Sequence, residues 1–218
     1  MSHVYPNHEP ISLNNQRIPA FLRFMKSKEA IVSVPKANPP LPIGNCYWNV
    51  DAMVEREGGE AIYGWDITIW SKSHISAMHH AVWRRPDGTL LDVTDTYPNV
   101  KNRTTSSFLP DERIQIDLRK QPNIPAKHFI FNDRDATAEF VDACEQLHLI
   151  DQQLAAIVYE AGYRCESQFA TARGLPAATT FEMSLSPASA AQYSYLSSRK
   201  PAALERIGNA IVSLQRVT

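Results

Sequence analysis

A pair of predicted strands joined by a short turn constrains the fold of this chain more than any other feature. The segments 76–85 and 89–94 are predicted to be β-strands. The Pro-Asp-Gly triplet at 86–88 suits a three-residue hairpin loop with glycine in the left-handed position. A loop of that length places Val82 opposite Asp92, and so decides which side chains share a face of the hairpin.

Extended and helical patterns alternate in the first half of the chain, and helical patterns dominate the second half. A helix is predicted from Cys46 to Glu57, and strands are predicted at 61–70 and 113–118. The proline-rich segment 35–42 is incompatible with a helix or a central strand and is predicted to be a stiff connector. Further helices are predicted at 133–148, 151–163 and 201–217.

The composition is that of an ordinary globular protein. The chain has 218 residues, of which 44% are hydrophobic and 21% charged, and its net charge is −1. This charge balance gives no reason to expect a nucleic acid or an anionic membrane as partner. No apolar run reaches membrane-spanning length, and residues 1–10 lack the apolar segment of a secretory signal. We therefore expect a cytoplasmic protein, although export by a signal-less route would leave the same sequence.

Cys46, Cys144 and Cys165 are too few and too widely spaced for a disulfide framework or a paired-cysteine metal site. Each is therefore considered as a single thiol. Cys46 differs from the other two, because Asn45 before it is a plausible N-cap and puts it in the first turn of a helix. The positive end of a helix and a nearby imidazole both stabilise a thiolate, which is the nucleophilic form of cysteine.

His80 lies in the middle of a predicted strand and is the candidate base for the Cys46 thiol. In the register of a three-residue loop, Asp92 shares a face with His80 one diagonal step away, and can orient the imidazole. A two-residue loop would shift the register and bring Asp95 to His80 instead. Asp95 is therefore the reserve third member of a Cys-His-Asp set.

An acyl-transfer site also needs donors for the negative oxygen of its tetrahedral intermediate. The backbone N–H of Cys46 is one candidate. The side chains of Asn45, Trp48 and Asn49 are further candidates as oxyanion donors or substrate contacts, and the sequence does not choose among them.

The segment from Gly44 to Asp95 resembles the transglutaminase-like and papain-like superfamily of cysteine enzymes. The core of transglutaminases carries Cys, then His-Ala-Trp, then Asp-Pro-Thr. This chain is similar at Cys46, at His80-Ala81 with Trp83, and at 92–94. It departs from that pattern by one extra residue before the tryptophan and by Val93 in place of proline. The resemblance covers about a quarter of the chain.

The resemblance implies an α+β fold in which a helix bearing Cys46 packs on an antiparallel sheet bearing His80 and Asp92, as in a papain-like or transglutaminase-like core. We expect that core, with an irregular N-terminal lead-in, to occupy residues 1–125, and a mostly helical extension to occupy residues 126–218. The implied activity is that of a cysteine-dependent hydrolase or acyltransferase acting on an amide: a peptidase, amidase, deamidase or transglutaminase. The substrate is a peptide, a protein or a small amide, and no cofactor is expected.

Two other classes of function remain open. A non-catalytic binding module of the same fold would keep Cys46 unreactive. A metal-dependent hydrolase would use histidines such as His74, His79 and His80 as ligands. Zinc needs three or four converging ligands, whereas His79 and His80 are neighbours on a strand and point to opposite faces. The metal hypothesis is therefore the weaker of the two, and His79 is expected to be structural.

Overall fold

The computed structural model describes residues 5–96, 103–132, 134–176 and 184–218. These residues form seven strands and five helices. The strands are β1 (His8–Pro10), β2 (Val32–Leu41), β3 (Glu60–Trp70), β4 (His74–Arg84), β5 (Leu90–Thr94), β6 (Thr105–Pro110) and β7 (Lys127–Ile130). The helices are α1 (Ile18–Met25), α2 (Cys46–Glu57), α3 (Asp135–Glu160), α4 (Glu166–Ala172) and α5 (Pro187–Val217).

Five of the strands close into a mixed barrel in the order β3-β6-β2-β5-β4, with β4 pairing back onto β3. The β2–β5 pair is parallel, and the other pairs of the barrel are antiparallel. Val34, Ile62, Val82 and Phe108 form a buried cluster contributed by four of the five strands. The chain is thus α+β, but the expected papain-like or transglutaminase-like core of a helix on an antiparallel sheet is wrong, because the sheet closes on itself.

The sequence prediction missed the barrel because it assigned β2 as a connector. The prolines of this segment lie where the ladder does not need their missing N–H groups. Antiparallel pairing with β6 ends at Pro35, and Lys36 donates its N–H to the carbonyl of Thr104 at 2.9 Å. Parallel pairing with β5 involves Lys36 and Leu41, with an irregular stretch between them that contains the prolines at 39 and 40.

One predicted strand does not form, and one observed strand, β6, was not predicted. The alternating segment 113–118 is not a strand, whereas β6 lies in a segment for which no strand was predicted. The side chains of 106–109 are buried, because β6 lies between β2 and β3 in the barrel. Burial inside the barrel stabilises Ser-Ser-Phe-Leu in the extended form, although the segment lacks a two-residue alternation of polarity.

The hairpin register predicted from the turn is confirmed. Trp83 pairs with Leu91, and the N–H of Arg85 donates to the carbonyl of Thr89 at 2.9 Å. Gly88 has a φ of 87°, the left-handed conformation expected at that position of the loop. The strands at 61–70 and 76–85 and the helix at 46–57 are also confirmed, to within two residues at each end.

Helix α2 packs on the outside of the barrel, and its position determines that of Cys46. Trp48 and Val50 are buried against Ala81 and Val93 of the hairpin. Trp48 also donates its indole N–H to the carbonyl of Leu118 at 3.0 Å. The first turn of α2 is thereby fixed against β4 and β5.

The C-terminal helices cover the other end of the β3–β4 pair. Trp70, at the end of β3, packs with Phe140 of α3 and with Ile211 and Leu214 of α5. Lys127 to Ile130 form β7 on the edge of β4, so the sheet extends past residue 125. The division into a core at 1–125 and an extension at 126–218 stays a prediction, and residues 1–4 of the lead-in and residue 133 lie outside the described parts.

Candidate active site

Cys46 is the first residue of α2 and is partly buried. Asn45 occupies the N-cap position, and its carbonyl accepts from the N–H of Asn49 at 2.9 Å. Its side chain makes no capping hydrogen bond. It donates instead to the carbonyl of Gln168 at 3.0 Å and to the amide oxygen of Asn49 at 3.3 Å. The side chain of Asn45 thus leaves the N–H groups of the first turn, beside the thiol, uncapped.

His80 lies on β4 and meets Asp92 of β5 across the hairpin. The Nε2 atom of His80 is 3.0 Å from Oδ2 of Asp92. This contact is an ion pair rather than a linear hydrogen bond, because Oδ2 lies off the direction in which Nε2–H would donate. The side chain of His80 is 15% exposed, whereas that of Asp92 is fully buried. The imidazole therefore lies between the protein interior and the surface.

Four groups surround the Asp92 carboxylate. Oδ2 accepts from the hydroxyl of Ser106 at 2.5 Å and lies 3.0 Å from Nζ of Lys36, in addition to its contact with His80. Oδ1 accepts from the backbone N–H of Thr94 at 3.1 Å. A fully buried carboxylate is tolerated only with such compensation, so these contacts keep Asp92 ionised.

The charges of this cluster act on both titrating partners. Burial alone would lower the pKa of His80, but the charge of Asp92 and the neighbouring Cys46, with side-chain contacts to both, raise it well above 6.5. Burial alone would raise the pKa of Asp92, but His80, the charge of Lys36 and the hydrogen bond from Ser106 hold it well below its usual range. Both shifts favour the imidazolium form of His80 and the carboxylate form of Asp92.

Asp95, the reserve third member, is exposed. Its backbone N–H donates to the carbonyl of Leu41 at 2.9 Å, and its side chain accepts from the N–H of Thr96 at 2.7 Å. In the described structure His80 makes its carboxylate contact with Asp92, as the register of the three-residue loop requires. The structure brings Cys46, His80 and Asp92 together and leaves Asp95 at the rim.

The three side chains expected as oxyanion donors are buried and already engaged. Asn49 donates to the carbonyl of Pro42 at 2.8 Å and to the hydroxyl of Thr94 at 3.0 Å. The donors of Asn45 and Trp48 are occupied by backbone and amide oxygens, as described above. These contacts hold the start of α2 in place, and a role for the three side chains as oxyanion donors stays a prediction without support from this geometry.

His79 points to the face opposite His80. Its Nδ1 atom lies 2.9 Å from the hydroxyl of Tyr47, and its ring meets Trp65 edge-on. Burial lowers the pKa of His79 to about 4. The charge of Asp111 acts in the opposite direction, whereas those of His80 and Lys127 lower the pKa further. A neutral imidazole held between two aromatic side chains is consistent with the structural role expected for it.

Lys36 and Ser106, which complete the surroundings of Asp92, were not predicted from the sequence. Both lie on strands that were not predicted, β2 and β6. A lysine placed among prolines gives no periodic signal. Its burial would have been predictable only if segment 35–42 had been recognised as a barrel strand.

A cleft of about 600 Å³ runs from the start of α2 along the β3–β4 pair to α3. Cys46, His80 and Lys36 line it, together with Glu145 and His148 of α3. Met78, 52% exposed, and Ile43, 42% exposed, give the cleft an apolar side. The candidate nucleophile and base therefore face a space large enough for several substrate groups.

The metal hypothesis finds no geometric basis in the described parts of the chain. No group of three or more His, Cys, Asp or Glu side chains there is arranged to hold a metal ion. His74 contacts His8, with the two Nε2 atoms 3.1 Å apart, and lies away from His79, which packs against Tyr47.

No family model matches this chain, and neither a curated protein nor a solved structure shows significant similarity to it. The comparisons therefore support no family. Among the helices that the structure describes, none combines the length and the apolar character needed to cross a membrane.

Proposed function

We propose that this protein is a cysteine-dependent hydrolase or acyltransferase acting on an amide, with Cys46 as nucleophile, His80 as general base and acid, and Asp92 as the orienting group. The observation that carries the proposal is the 3.0 Å contact of His80 with the buried Asp92, beside a cleft that Cys46 also lines. Nucleophile, base and orienting group are the three parts that thiol-dependent acyl transfer requires.

The first half of the reaction forms a thioester. The Cys46 thiolate attacks the amide carbonyl carbon, a C–S bond forms, and the carbonyl electrons move to oxygen. When the intermediate collapses, the C–N bond breaks and the imidazolium of His80 gives its proton to the leaving nitrogen. Since Nε2 of His80 lies 3.0 Å from Oδ2 of Asp92, we assign Nδ1 as the ring nitrogen that serves the thiol and the leaving group.

The second half releases the acyl group. Water or an amine attacks the thioester, neutral His80 takes its proton, and the C–S bond breaks to return the Cys46 thiolate. Water as the acceptor gives hydrolysis or deamidation, and an amine gives transfer. The backbone N–H of Cys46, at the uncapped start of α2, is the donor best placed for the developing oxyanion.

Two observations favour this function over that of a binding module. An ion pair of which one member is fully buried costs desolvation energy and adds little net stability, so its presence needs a reason. In addition, Asp92 is surrounded by donors on both oxygens, which fixes its orientation toward His80. A module that only bound its partner would need neither an imidazolium nor a thiol at that position.

A panel of acyl-peptide p-nitroanilides tests the proposal, because release of p-nitroaniline reports amide cleavage directly. The wild-type protein is expected to cleave at least part of the panel and to carry a transient acyl mass on Cys46. Cys46→Ala and His80→Ala should each abolish release, and the double variant should be little worse than either single variant, since the residues act as a unit. Cys165→Ala, at a buried thiol outside the lining of the cleft, is the matched control and should retain activity. Full activity in folded Cys46→Ala would contradict the proposal.

A cytoplasmic location and a peptide, protein or small amide as substrate remain part of the proposal. The apolar side of the cleft at Met78 and Ile43 favours an apolar group next to the scissile bond.

A further inference from the structure

We propose that Lys36 is a positioning residue of this site, which holds the Asp92 carboxylate in place and limits how strongly that carboxylate stabilises the proton on His80. The inference rests on the proposed function, because it assigns Lys36 a part in the same chemistry. Its basis is the position of Nζ, 3.0 Å from Oδ2 of Asp92 and hydrogen-bonded to the carbonyl of Thr94 at 2.7 Å.

The strand pairing determines where Lys36 lies. Lys36 of β2 is the register partner of Asp92 of β5, in the parallel pair of the barrel. The ladder is irregular between Lys36 and Leu41, so few backbone hydrogen bonds hold β2 to β5 there. The Nζ atom of Lys36 contacts both the side chain of Asp92 and the backbone carbonyl of Thr94, and so connects β2 to β5 at the site. Only 10% of its side chain is exposed, which limits its freedom to leave.

Lys36 and His80 share one carboxylate oxygen. Each lies 3.0 Å from Oδ2 of Asp92, so Nζ and Nε2 are at most 6.0 Å apart. A positive charge at that distance disfavours a second positive charge on the imidazole. Lys36 therefore opposes the effect of Asp92 on His80. A base in this reaction must both hold and release a proton, and an imidazolium stabilised by Asp92 alone would release it less readily.

The other charged groups that the structure describes around His80 do not duplicate this effect. The thiol of Cys46 approaches from α2 and Asp92 from β5, and both favour the imidazolium. On β3 the residue opposite His80 is Gly64, and the next residue on that face, Asp66, is paired with Arg103 at 2.5 Å. Ser106 of β6 is a neutral donor to Asp92. Among the described residues that contact Asp92, Lys36 is the permanent cation.

A purely structural lysine would give a different result from a positioning lysine. If Lys36 only held β2 to β5, its replacement would lower the melting temperature and leave the titration of His80 where it is. If Lys36 opposes Asp92, loss of its charge must raise the pKa of His80, whatever happens to the melting temperature. The conservative variant Lys36→Arg keeps the charge and separates the two cases.

The experiment is an NMR titration of His80 in protein carrying ¹⁵N-labelled histidine, with the His80 signals identified by their absence from His80→Asn. We expect Lys36→Gln and Lys36→Met to move the titration of His80 upward by about one pH unit or more. Lys36→Arg should stay near the wild-type value. Lys200→Met removes a surface ion pair with Asp151 and should change nothing at His80.

An unchanged His80 titration in folded Lys36→Gln would overturn the inference. Lys36→Gln can still donate a hydrogen bond to Asp92, so it tests the charge even if Lys36→Met does not fold. The titration needs no substrate and no reactive thiol. An unreactive Cys46 in the wild-type protein would therefore contradict the proposed function, while the NMR result would still decide the role of Lys36.

Discussion

Gly64 of β3 lies directly opposite His80 of β4, at the point where β3 also pairs with β6. A Cβ atom added at Gly64 would lie 2.2 Å from the carbonyl oxygen of Leu109 and 2.7 Å from the ring of Phe108. No side chain fits there unless the backbone of β6 moves. The absence of a side chain at Gly64 thus lets the barrel close beside the candidate base.

Gly64→Ala is therefore expected to destabilise the fold by about 2 kcal/mol or more, because a backbone atom must move to relieve the overlap. Chemical denaturation monitored by circular dichroism measures the free energy of unfolding. Gly208→Ala is the matched control, since nothing lies within 4 Å of its added Cβ and alanine favours its helix. Equal stability of Gly64→Ala and the wild-type protein would show that the barrel does not close as described.

Asp92→Asn is expected to slow alkylation of Cys46 by iodoacetamide near neutral pH, on the order of tenfold or more, because an amide cannot stabilise the His80 imidazolium. Asp95→Asn removes a carboxylate from the exposed rim of the cleft and should leave the rate near that of the wild-type protein. Mass spectrometry of the Cys46 peptide gives both rates. A large loss in Asp95→Asn with none in Asp92→Asn would reverse the assignment.

The buried histidines at positions 8, 74 and 128 are expected to make the folded protein less stable in acid. Burial, reinforced by neighbouring imidazoles at His8 and His74, lowers their pKa values to about 4, about 3 and about 4. In the unfolded chain a histidine titrates near 6.5, so below about pH 6.5 the unfolded chain binds more protons than the folded protein. The stability that is fully present above about pH 6.5 is therefore lost as the pH falls through 4. Urea midpoints should therefore drop over that range.

A single substitution in this histidine cluster tests the explanation. His8 lies on the short edge strand β1, and His8→Asn removes one of the buried imidazoles. The drop in urea midpoint between pH 7 and pH 4.5 should be smaller in this variant than in the wild-type protein, and unchanged in the control His148→Asn. The same drop in all three proteins would assign the acid sensitivity to other groups.

Removal of metal ions is expected to leave the protein unaffected. The described residues offer no arrangement of three ligands, and the candidate chemistry uses a thiol. Dialysis against a strong chelator should change neither the melting temperature nor p-nitroanilide cleavage, whereas a thiol alkylator should abolish cleavage. Loss of activity on chelation that added zinc restores would make Cys46 and His80 candidate ligands instead.

The local features of the site were predictable from the sequence, and the closure of the barrel was not. The turn at 86–88 fixes the register of its own two strands, so the pairing of His80 with Asp92 follows from short-range geometry. The start of α2 at Cys46 is where the sequence placed it, and Asn45 is the N-cap residue, although its side chain makes no capping hydrogen bond. These features depend on neighbours in the chain, for which sequence patterns are informative.

The missed parts depend on distant contacts. β2 contains three prolines, at 35, 39 and 40, and a fourth follows it at 42. It is a strand because β5 and β6 lie on its two sides. β6 has no clear alternation and is extended because the barrel buries it. Lys36 and Ser106 lie on these two strands, so their contacts with Asp92 could not be predicted either. Tertiary context decides such segments against their local propensity.

The central claim, that Cys46 and His80 form a nucleophile and base, is tested most directly by the pH dependence of alkylation at all three cysteines in one sample. Burial raises the pKa values of Cys144 and Cys165 to about 11, with nearby carboxylates adding to the effect, so both thiols serve as internal controls. We predict that iodoacetamide labels Cys46 rapidly at pH 6, far ahead of the other two cysteines, and that His80→Ala removes this advantage. Labelling of Cys46 that is as slow at pH 6 as that of Cys144 and Cys165, or that is unaffected by His80→Ala, would contradict the account.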